Sequence, residues 1–301
     1  MDRCGLIVLD KPRGITSRQA VDVVKRLVRP AKTGHAGTLD PLATGVLAVC
    51  VGPATRLIEY VQRMPKRYLA VFRLGQSSPT EDIEGELTFH PEAPRPTLDQ
   101  IHRAARRLTG EIMQRPPAFS ALKVQGRRAY DLARAGQEVE LQPRPVTIHR
   151  LEVLQYEYPE LTVDIECNSG TYVRSLGRDL AELLGSHAVM ASLVRTAIGD
   201  FRIEDACPPN QLTPENLARW LLPPERAVAY LPAIRFDASE ARRIANGLRV
   251  IRSAEAGEVA TVGQERAAFG PDGRLIGIVA RLADGAWRAV CNLPAAPEAN
   301  T

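Results

Sequence analysis

Cysteine is scarce in this sequence, and the marks of secreted or membrane-spanning chains are missing. The five cysteines, at positions 4, 50, 167, 207 and 291, are odd in number, widely spaced and never arranged as Cys-x-x-Cys. That spacing argues against a disulfide framework and against a cysteine-type zinc site. No run of about 18 apolar residues occurs, and the first residues lack a signal-peptide pattern. We therefore expect a reduced, cytoplasmic protein with no membrane association.

Several catalytic signatures are also missing. No Gly-Lys-Ser or Gly-Lys-Thr follows a glycine-rich loop, and no Gly-x-Ser-x-Gly occurs, which argues against a P-loop and against a serine hydrolase of the esterase type. The histidines stand at positions 35, 90, 102, 149 and 187, without the spacing typical of metal ligands. The sequence thus predicts neither a metal nor a nucleotide cofactor.

Basic residues are unevenly distributed along the chain. The 301 residues carry 39 Lys and Arg against 35 Asp and Glu, a net charge of +4. Residues 1–150 have a surplus of nine basic side chains, whereas residues 151–301 have a surplus of five acidic ones. A basic half suits a polyanionic partner, most often nucleic acid, although a surface charged only for solubility gives the same count.

Hydrophobic periodicity predicts both strands and helices over the first 200 residues. Strand-like apolar runs occupy residues 6–9, 46–51 and 68–75. Residues 161–167 alternate apolar and polar side chains, which predicts a half-exposed strand. Helical spacing is found after a Thr16-Ser17 cap, over 101–108, and from Leu176 to Leu184, with Gly185 just beyond.

The pattern changes after a proline-rich stretch that ends at Pro232. Short β-like runs separated by glycine follow at 259–262, 267–269, 275–279 and 287–290. Such runs predict a small all-β barrel. We therefore expect a first domain over residues 1–232 and a second over 233–301.

The most informative segment is the loop 34–45, Gly-His-Ala-Gly-Thr-Leu-Asp-Pro-Leu-Ala-Thr-Gly. Its glycines and proline shape the backbone, and the proline after Asp40 disfavours a helical conformation for that aspartate. A carboxylate held on a shaped loop is a candidate catalytic group. From the pattern alone, a turn in which Asp40 caps nearby backbone N–H groups explains the segment equally well.

Six motifs in order resemble the TruB-type pseudouridine synthases, bacterial enzymes that modify uridine 55 of tRNA. They are Lys-Pro-Arg-Gly-Ile-Thr-Ser at 11–17, the loop 35–45, Lys-Arg-Tyr at 66–68, and the segments 114–123, 169–174 and 193–201. The resemblance implies an α+β fold: a mixed, largely antiparallel sheet with flanking helices and a catalytic cleft, plus a small C-terminal all-β barrel that resembles the family's RNA-binding PUA-like domain.

The resemblance also implies a reaction and a partner. The family converts a uridine in the T-arm of tRNA to pseudouridine: the C1′–N1 bond breaks, the uracil turns, and C5 joins C1′, without a metal or nucleotide cofactor. Because that uridine lies in a folded arm, base flipping is implied. The expected partner is the tRNA T-arm stem-loop, and no obligate protein partner is implied.

Candidate site residues follow from the matched motifs. Asp40 matches the family's catalytic aspartate, Arg174 the arginine that pairs with it, and Tyr68 the tyrosine that stacks on the target base. Tyr172 and Leu193 match residues that line the base pocket. The sequence leaves open whether Asp40 attacks C1′, attacks C6 or removes a ribose proton.

Further RNA contacts are expected from His35 and from basic side chains. His35 matches a family histidine among the displaced bases. The stretch 101–134 carries eight Lys and Arg against two acids, and 101–150 resembles the family segment that clamps the RNA. The basic residues predicted to contact RNA are Lys11, Lys123, Arg127 and Arg128. Phosphate contacts of this kind position the RNA without reading its sequence.

Two other functions remain open at this point. A tRNA-binding folding factor would use the same basic surface without relevant catalysis. A nuclease would also combine acidic residues with RNA, but it would need a cluster of metal-binding carboxylates, which the sequence does not display. One departure from the family pattern is Phe119, which stands where the family often has tyrosine.

Overall fold

The computed structural model describes residues 3–120, 122–124, 127–128, 130, 141–252 and 261–294, with the backbone alone for 123–124 and 127–128. Its helices are α1 (Ser17–Val28), α2 (Ile58–Arg63), α3 (Leu98–Arg107), α4 (Val173–Leu183), α5 (Leu217–Trp220) and α6 (Ala238–Ala245). The strands of its first half are β1 (Gly5–Lys11), β2 (Thr33–His35), β3 (Thr44–Val51), β4 (Lys66–Leu74), β5 (Gln76–Ser77), β6 (Thr88–Phe89), β7 (Gly110–Gln114), β8 (Lys123–Val124), β9 (Arg127–Arg128) and β10 (Arg144–Glu157). The remaining strands are β11 (Glu160–Cys167), β12 (Ala188–Ile198), β13 (Phe201–Arg202), β14 (Ala233–Arg235), β15 (Glu265–Phe269), β16 (Leu275–Arg281) and β17 (Trp287–Asn292).

One large sheet organises the first two thirds of the chain. Its strand order is β1-β3-β12-β4-β11-β10-β7, with β2 added to β3 and β13 to β12. These strands pair antiparallel except where β12 meets β3, with Val194 opposite Thr44 and Arg195 opposite Gly45. The predicted mixed, largely antiparallel sheet with flanking helices is confirmed. The single parallel pairing brings the end of the 34–45 loop beside the middle of β12.

Helix α1 forms as the local sequence predicts. Thr16 accepts a hydrogen bond from the backbone N–H of Gln19, and the Gln19 side chain accepts one from the Thr16 backbone, which completes a capping box. Ala20, Val21 and Val24 form its buried face against the sheet. Ser17 was also a candidate for the N-cap, but its hydroxyl makes a different contact, described with the site below.

Helix α4 lies unusually close to the sheet. Leu176 and Leu180 are buried, and a Cβ at Gly177 would lie 2.3 Å from a ring carbon of Phe72 on β4. Only glycine permits that approach, because any side chain would collide with the ring. The close packing sets the first turn of α4, and with it Arg174, against the loops at the sheet edge.

The C-terminal strands form an open four-stranded sheet in the order β14-β15-β16-β17. The runs predicted at 267–269, 275–279 and 287–290 fall within β15, β16 and β17, whereas 261–262 are not in a strand and 259–260 lie outside the described residues. No closed barrel is seen in the described part of this region. The division into domains at residue 232 stays a prediction.

This C-terminal sheet packs onto the first half of the chain. Leu275 and Ile278 share an apolar cluster with Leu6 of β1. At the edge of the contact, Arg63 donates to Glu265 at 2.7 Å, and the Tyr60 hydroxyl donates to the same carboxylate at 3.1 Å. The contact between the two parts therefore has an apolar centre and a polar edge.

Candidate active site

A cleft of about 410 Å³ opens beside β4 and β12. Small-molecule sites typically enclose roughly 300–1,000 Å³, so the cleft can hold a base and its sugar. Five residues predicted from the sequence line it: Asp40, Tyr68, Tyr172, Arg174 and Leu193. They come from four separate parts of the chain, which only the tertiary fold brings together.

Arg174 lies at the centre of this cleft. Its Nε lies 3.1 Å from Oδ2 of Asp40 and 3.8 Å from Oδ2 of Asp82. Two further contacts hold the guanidinium, because Nη1 donates to the carbonyl of Thr80 at 2.7 Å and Nη2 to that of Phe119 at 3.0 Å. The side chain is only 8% exposed. A buried guanidinium held by two carbonyls has little freedom to move, so it can orient the carboxylate of Asp40 in the cleft.

Asp82 is the buried partner of this arginine. Its side chain is 6% exposed, against 38% for Asp40. Oδ1 of Asp82 accepts hydrogen bonds from the Thr80 hydroxyl at 2.6 Å and from the backbone N–H of Glu84 at 3.1 Å. Asp82 is thus held from behind, while Asp40 keeps one side open to the cleft. Burial raises the pKa of Glu84, and the negative charges of Asp82 and Asp40 raise it further.

A second ion pair braces the loop that supplies Thr80 and Asp82. Glu81 has a φ of +62°, a conformation that non-glycine residues rarely adopt. Its carboxylate pairs with Arg178 and accepts a hydrogen bond from Ser175 at 2.7 Å, both on α4. Arg178 also donates to the carbonyl of Arg115 at 2.8 Å. Helix α4 therefore holds the loops on either side of Arg174.

The Asp40 loop is fixed by a buried hydroxyl that the sequence did not reveal. Oγ of Ser17 donates to the carbonyl of Leu39 at 2.9 Å and accepts from the backbone N–H of Leu39 at 2.8 Å. The neighbouring Thr16 provides the helix cap, which leaves Ser17 available for this second role. Its position at the start of α1 ties the Asp40 loop to a rigid element.

Lys11 occupies a position that differs from the predicted RNA contact. It is fully buried, and its ammonium donates to the carbonyls of Ile15 at 2.8 Å, Pro12 at 3.0 Å and Pro41 at 3.5 Å. Burial lowers the pKa of Lys11 to about 8, and the nearby charge of Asp40 opposes that shift. The side chain turns inward and supports the Asp40 loop, and the predicted RNA contact of Lys11 stays a prediction.

Tyr68 and two buried cations, Lys66 and Arg195, form another wall of the cleft. Tyr68 is 8% exposed, and burial raises its pKa, an effect that the Arg195 guanidinium opposes. Arg195 donates to the carbonyls of Val46 at 2.7 Å and Gly37 at 3.1 Å. Lys66 also lines the cleft, and burial lowers its pKa to about 8. Arg195 was not singled out from the sequence, although an arginine within an apolar strand is a signal that could have identified it.

Gln114 positions Tyr172 at the other side of the cleft. Its amide oxygen accepts from the backbone N–H of Tyr172 at 2.8 Å, and its amide nitrogen donates to the Tyr172 carbonyl at 3.2 Å. This paired hydrogen bond holds the residue that directly precedes α4. Leu193 contributes an apolar surface from β12 and is 7% exposed. The cleft therefore combines aromatic, apolar and charged walls.

His35 lies at the end of β2, opposite Val49 of β3, and is not among the described residues that line the cleft. Burial lowers its pKa. Lys123 and Arg128 stand opposite one another in the short β8–β9 ladder, with Arg127 paired to Val124. The side chains of Lys123, Arg127 and Arg128 lie outside the described part of the structure, so their predicted RNA contacts stay predictions.

The part of the chain that the structure describes contains neither a metal-binding cluster nor a membrane-spanning helix. No group of three or more histidine, cysteine, aspartate or glutamate side chains is placed to hold a metal ion in that part of the chain. No helix described there is long and apolar enough to cross a membrane.

Comparison with known proteins agrees with the geometry of the cleft. Residues 25–173 match the model of the TruB family pseudouridylate synthase, N-terminal domain. The tRNA pseudouridine synthase B of Arthrobacter sp. (strain FB24) is 42% identical over 285 residues, which cover 92% of either chain. The chain belongs to the TruB family. It is therefore a pseudouridine synthase, an isomerase.

Other relatives extend the same result. The tRNA pseudouridine synthase B of Haemophilus influenzae is 42% identical over 253 residues, covering 82% of this chain and 81% of that one. A solved structure titled "Crystal Structure of a Cbf5-Nop10-Gar1 Complex" is 27% identical, with a TM-score of 0.72 over 92% of this chain and 78% of that chain. This chain therefore shares its fold with that solved chain over nearly its whole length.

Proposed function

We propose that this chain converts uridine 55 in the T-arm of tRNA to pseudouridine, with Asp40 as the catalytic carboxylate. The observation that carries the proposal is the Asp40–Arg174 pair at 3.1 Å, placed in a cleft of nucleoside size beside Tyr68. The printed names of the bacterial relatives support tRNA as the substrate. The resemblance of the six motifs supports the T-arm and position 55.

Asp40 is suited to act on the nucleoside because it is both oriented and accessible. Arg174 holds one carboxylate oxygen, and the 38% exposed side chain leaves room for a substrate. The reaction needs a group that acts at C1′, at C6 or on a ribose proton, and a carboxylate can perform each of these steps. Arg174 is a positioning residue in this scheme, since it pairs with Asp40 and is anchored by two backbone carbonyls.

The shape of the cleft supports base flipping. A uridine that is stacked in an RNA loop cannot reach a carboxylate inside a cleft unless it leaves the stack. Tyr68 offers an aromatic wall on which the extruded uracil would stack. Leu193 and Tyr172 form the other walls. The sequence-derived assignment of His35 to the displaced bases and of Lys123, Arg127 and Arg128 to phosphates completes the proposed RNA contacts.

Two further assignments belong to the same proposal. The C-terminal region of residues 233–301 would act as an accessory RNA grip beside a catalytic domain of residues 1–232. The enzyme would work in the cytoplasm on tRNA, with no obligate protein partner.

Replacement of Asp40 by Asn tests the proposal. We expect single-turnover formation of pseudouridine, measured by nearest-neighbour analysis of an unmodified T-arm hairpin, to fall at least ~10³-fold, because the change keeps the shape and removes the charge. Hairpin binding should change little. Asp99→Asn, at an exposed carboxylate in the first turn of α3, is the matched control and should retain full activity. Retention of a tenth of the wild-type rate by Asp40→Asn would rule out this role.

A further inference from the structure

A second cavity of the described structure lies away from the catalytic cleft. It measures about 770 Å³, against about 410 Å³ for the cleft, and the two share no lining residue. Its wall comes from the end of α1, the turn after β3 and the end of the C-terminal sheet. Nothing in the proposed reaction uses this cavity.

The cavity carries one sign of charge. Arg3, Arg29, Lys32 and Arg56 line it, and none of its described lining residues is acidic. Arg3 donates to the carbonyl of Leu27, and Arg56 donates to that of Asn292 at 2.6 Å, so these two guanidinium groups are held in place. Four cations around one concavity attract an anion strongly.

Two of the four cations are available to a ligand. Arg29 and Lys32 are exposed, and neither side chain makes a hydrogen bond or an ion pair within the described part of the chain. Between them and Arg56 lies Gly52, whose φ of +61° brings its backbone N–H to 2.7 Å from the carbonyl of Lys32. A Cβ at Gly52 would lie 2.1 Å from the Arg3 carbonyl oxygen, so the backbone floor of the cavity is tightly packed.

The lining also indicates which anion fits. Three prolines and the four cations make up most of it, and no aromatic side chain is among its described members. A nucleotide held by its base would need an aromatic platform or base-edge hydrogen bonds. A sugar-phosphate backbone needs only cations. The chemistry therefore favours a phosphodiester backbone over a free nucleotide.

The cavity lies within reach of an RNA held in the catalytic cleft. Strand β2 joins the two sites: Lys32, just before it, lines the cavity, and Gly37, just after it, lines the cleft. Five residues of extended chain span at most about 18 Å. A few nucleotides of RNA can cover that distance, so one substrate molecule can occupy both sites.

We propose that the cavity lined by Arg3, Arg29, Lys32 and Arg56 is a second RNA site, which binds backbone phosphates of the substrate outside the segment that enters the cleft. This site rests on the proposed function for the identity of its RNA. It adds affinity and orientation, and it takes no part in bond breaking.

The test compares two doubly substituted proteins with the same loss of charge. Arg29→Gln/Lys32→Gln removes the two available cations, and Arg202→Gln/Arg219→Gln removes two exposed arginines outside the proposed RNA contacts as the control. Binding of an unmodified tRNA transcript is measured from about 50 to 200 mM salt. Loss of two phosphate contacts should flatten the log–log salt dependence by roughly 1.4–1.8. The control should lose less than half of that.

Measurements of turnover and of small-anion binding distinguish a second RNA site from a catalytic role and from a site for small anions. Single-turnover rates at saturating tRNA should be equal for wild type and Arg29→Gln/Lys32→Gln, because the site lies outside the cleft. Equal salt slopes for the two doubly substituted proteins would overturn the proposal. A second pattern would also overturn it. In that pattern inorganic pyrophosphate stabilises the wild type but not Arg29→Gln/Lys32→Gln, while the two proteins bind tRNA equally well, which indicates a site for small anions. The two proposals can fail separately. Absence of pseudouridine in the wild type would refute the proposed reaction, whereas the salt dependence of tRNA binding tests only the second RNA site.

Discussion

Replacing Arg174 by methionine should affect both the stability of the fold and the rate of the reaction. The substitution keeps much of the side-chain volume and removes the guanidinium. It leaves the buried carboxylate of Asp82 without its cation, and the carbonyls of Thr80 and Phe119 without donors. Each charge-assisted hydrogen bond contributes about 1.5–3 kcal/mol, so the two together contribute roughly 3–6 kcal/mol.

The pair with Asp40 adds little to that sum. Its carboxylate is 38% exposed, and solvent screens an ion pair of that kind. Loss of one partner from a buried ion pair costs about 3–5 kcal/mol, a range that agrees with the hydrogen-bond figure. We therefore expect Arg174→Met to lower the free energy of unfolding by about 4 kcal/mol. With a slope of about 3 kcal/mol per molar urea, the midpoint should fall by ~1.3 M.

The rate should fall for a separate reason. Without the guanidinium, Asp40 is no longer held in one orientation, and we expect a loss of about 10²–10³-fold at saturating hairpin and 25 °C. Arg174→Lys is the matched variant, because it restores the charge but lacks the planar fork that reaches both carbonyls. Its stability and rate should lie between those of wild type and Arg174→Met.

A double-mutant cycle with Asp82→Asn checks the structural part of this reasoning. Since Arg174 and Asp82 share a buried network, the two substitutions together should cost less than the sum of their separate costs. Strict additivity, or an unchanged urea midpoint for Arg174→Met, would refute the assignment of stability to this network. A rate within threefold of wild type would refute the positioning role.

Three other substitutions test the surroundings of the site. Ser17→Ala removes both hydrogen bonds to Leu39, so the single-turnover rate should fall about 10-fold with hairpin binding unchanged; equal rates would contradict the anchoring role. Lys11→Met should slow turnover while leaving the salt dependence of tRNA binding unchanged. A log–log salt slope reduced by roughly 0.7–0.9 would instead indicate that Lys11 contacts a phosphate. Burial lowers the pKa of His35, so the unfolded state binds more protons below about pH 6.5 and stability falls as the pH drops through that range. His35→Gln should remove this part of the pH dependence in urea titrations at pH 5–7, and an identical dependence in both proteins would contradict the assignment.

Local patterns were sufficient to predict most of the elements that carry the site. The Thr16 cap and the spacing of Val21 and Val24 predicted α1, because capping and amphipathic spacing depend on residues only a few positions apart. The leucines of α4 did the same. Asp40 could be identified as the candidate catalytic group because its loop motif is specific. Only the resemblance to the family favoured this role over that of a simple turn cap.

The sequence by itself determined the fold class and five residues of the cleft, whereas the tertiary structure decided what several polar side chains do. Lys11 reads as an exposed base beside a turn, yet it turns inward to the Pro41 carbonyl, 30 positions away. Arg174 meets Thr80 across 94 positions, and Ser17 meets Leu39 across 22. Periodicity depends on residues close together in the chain. The partner of a buried donor depends on which distant backbone carbonyl the fold brings within about 3 Å of that donor. That long-range choice turns an arginine, a lysine and a serine into the supports of one aspartate.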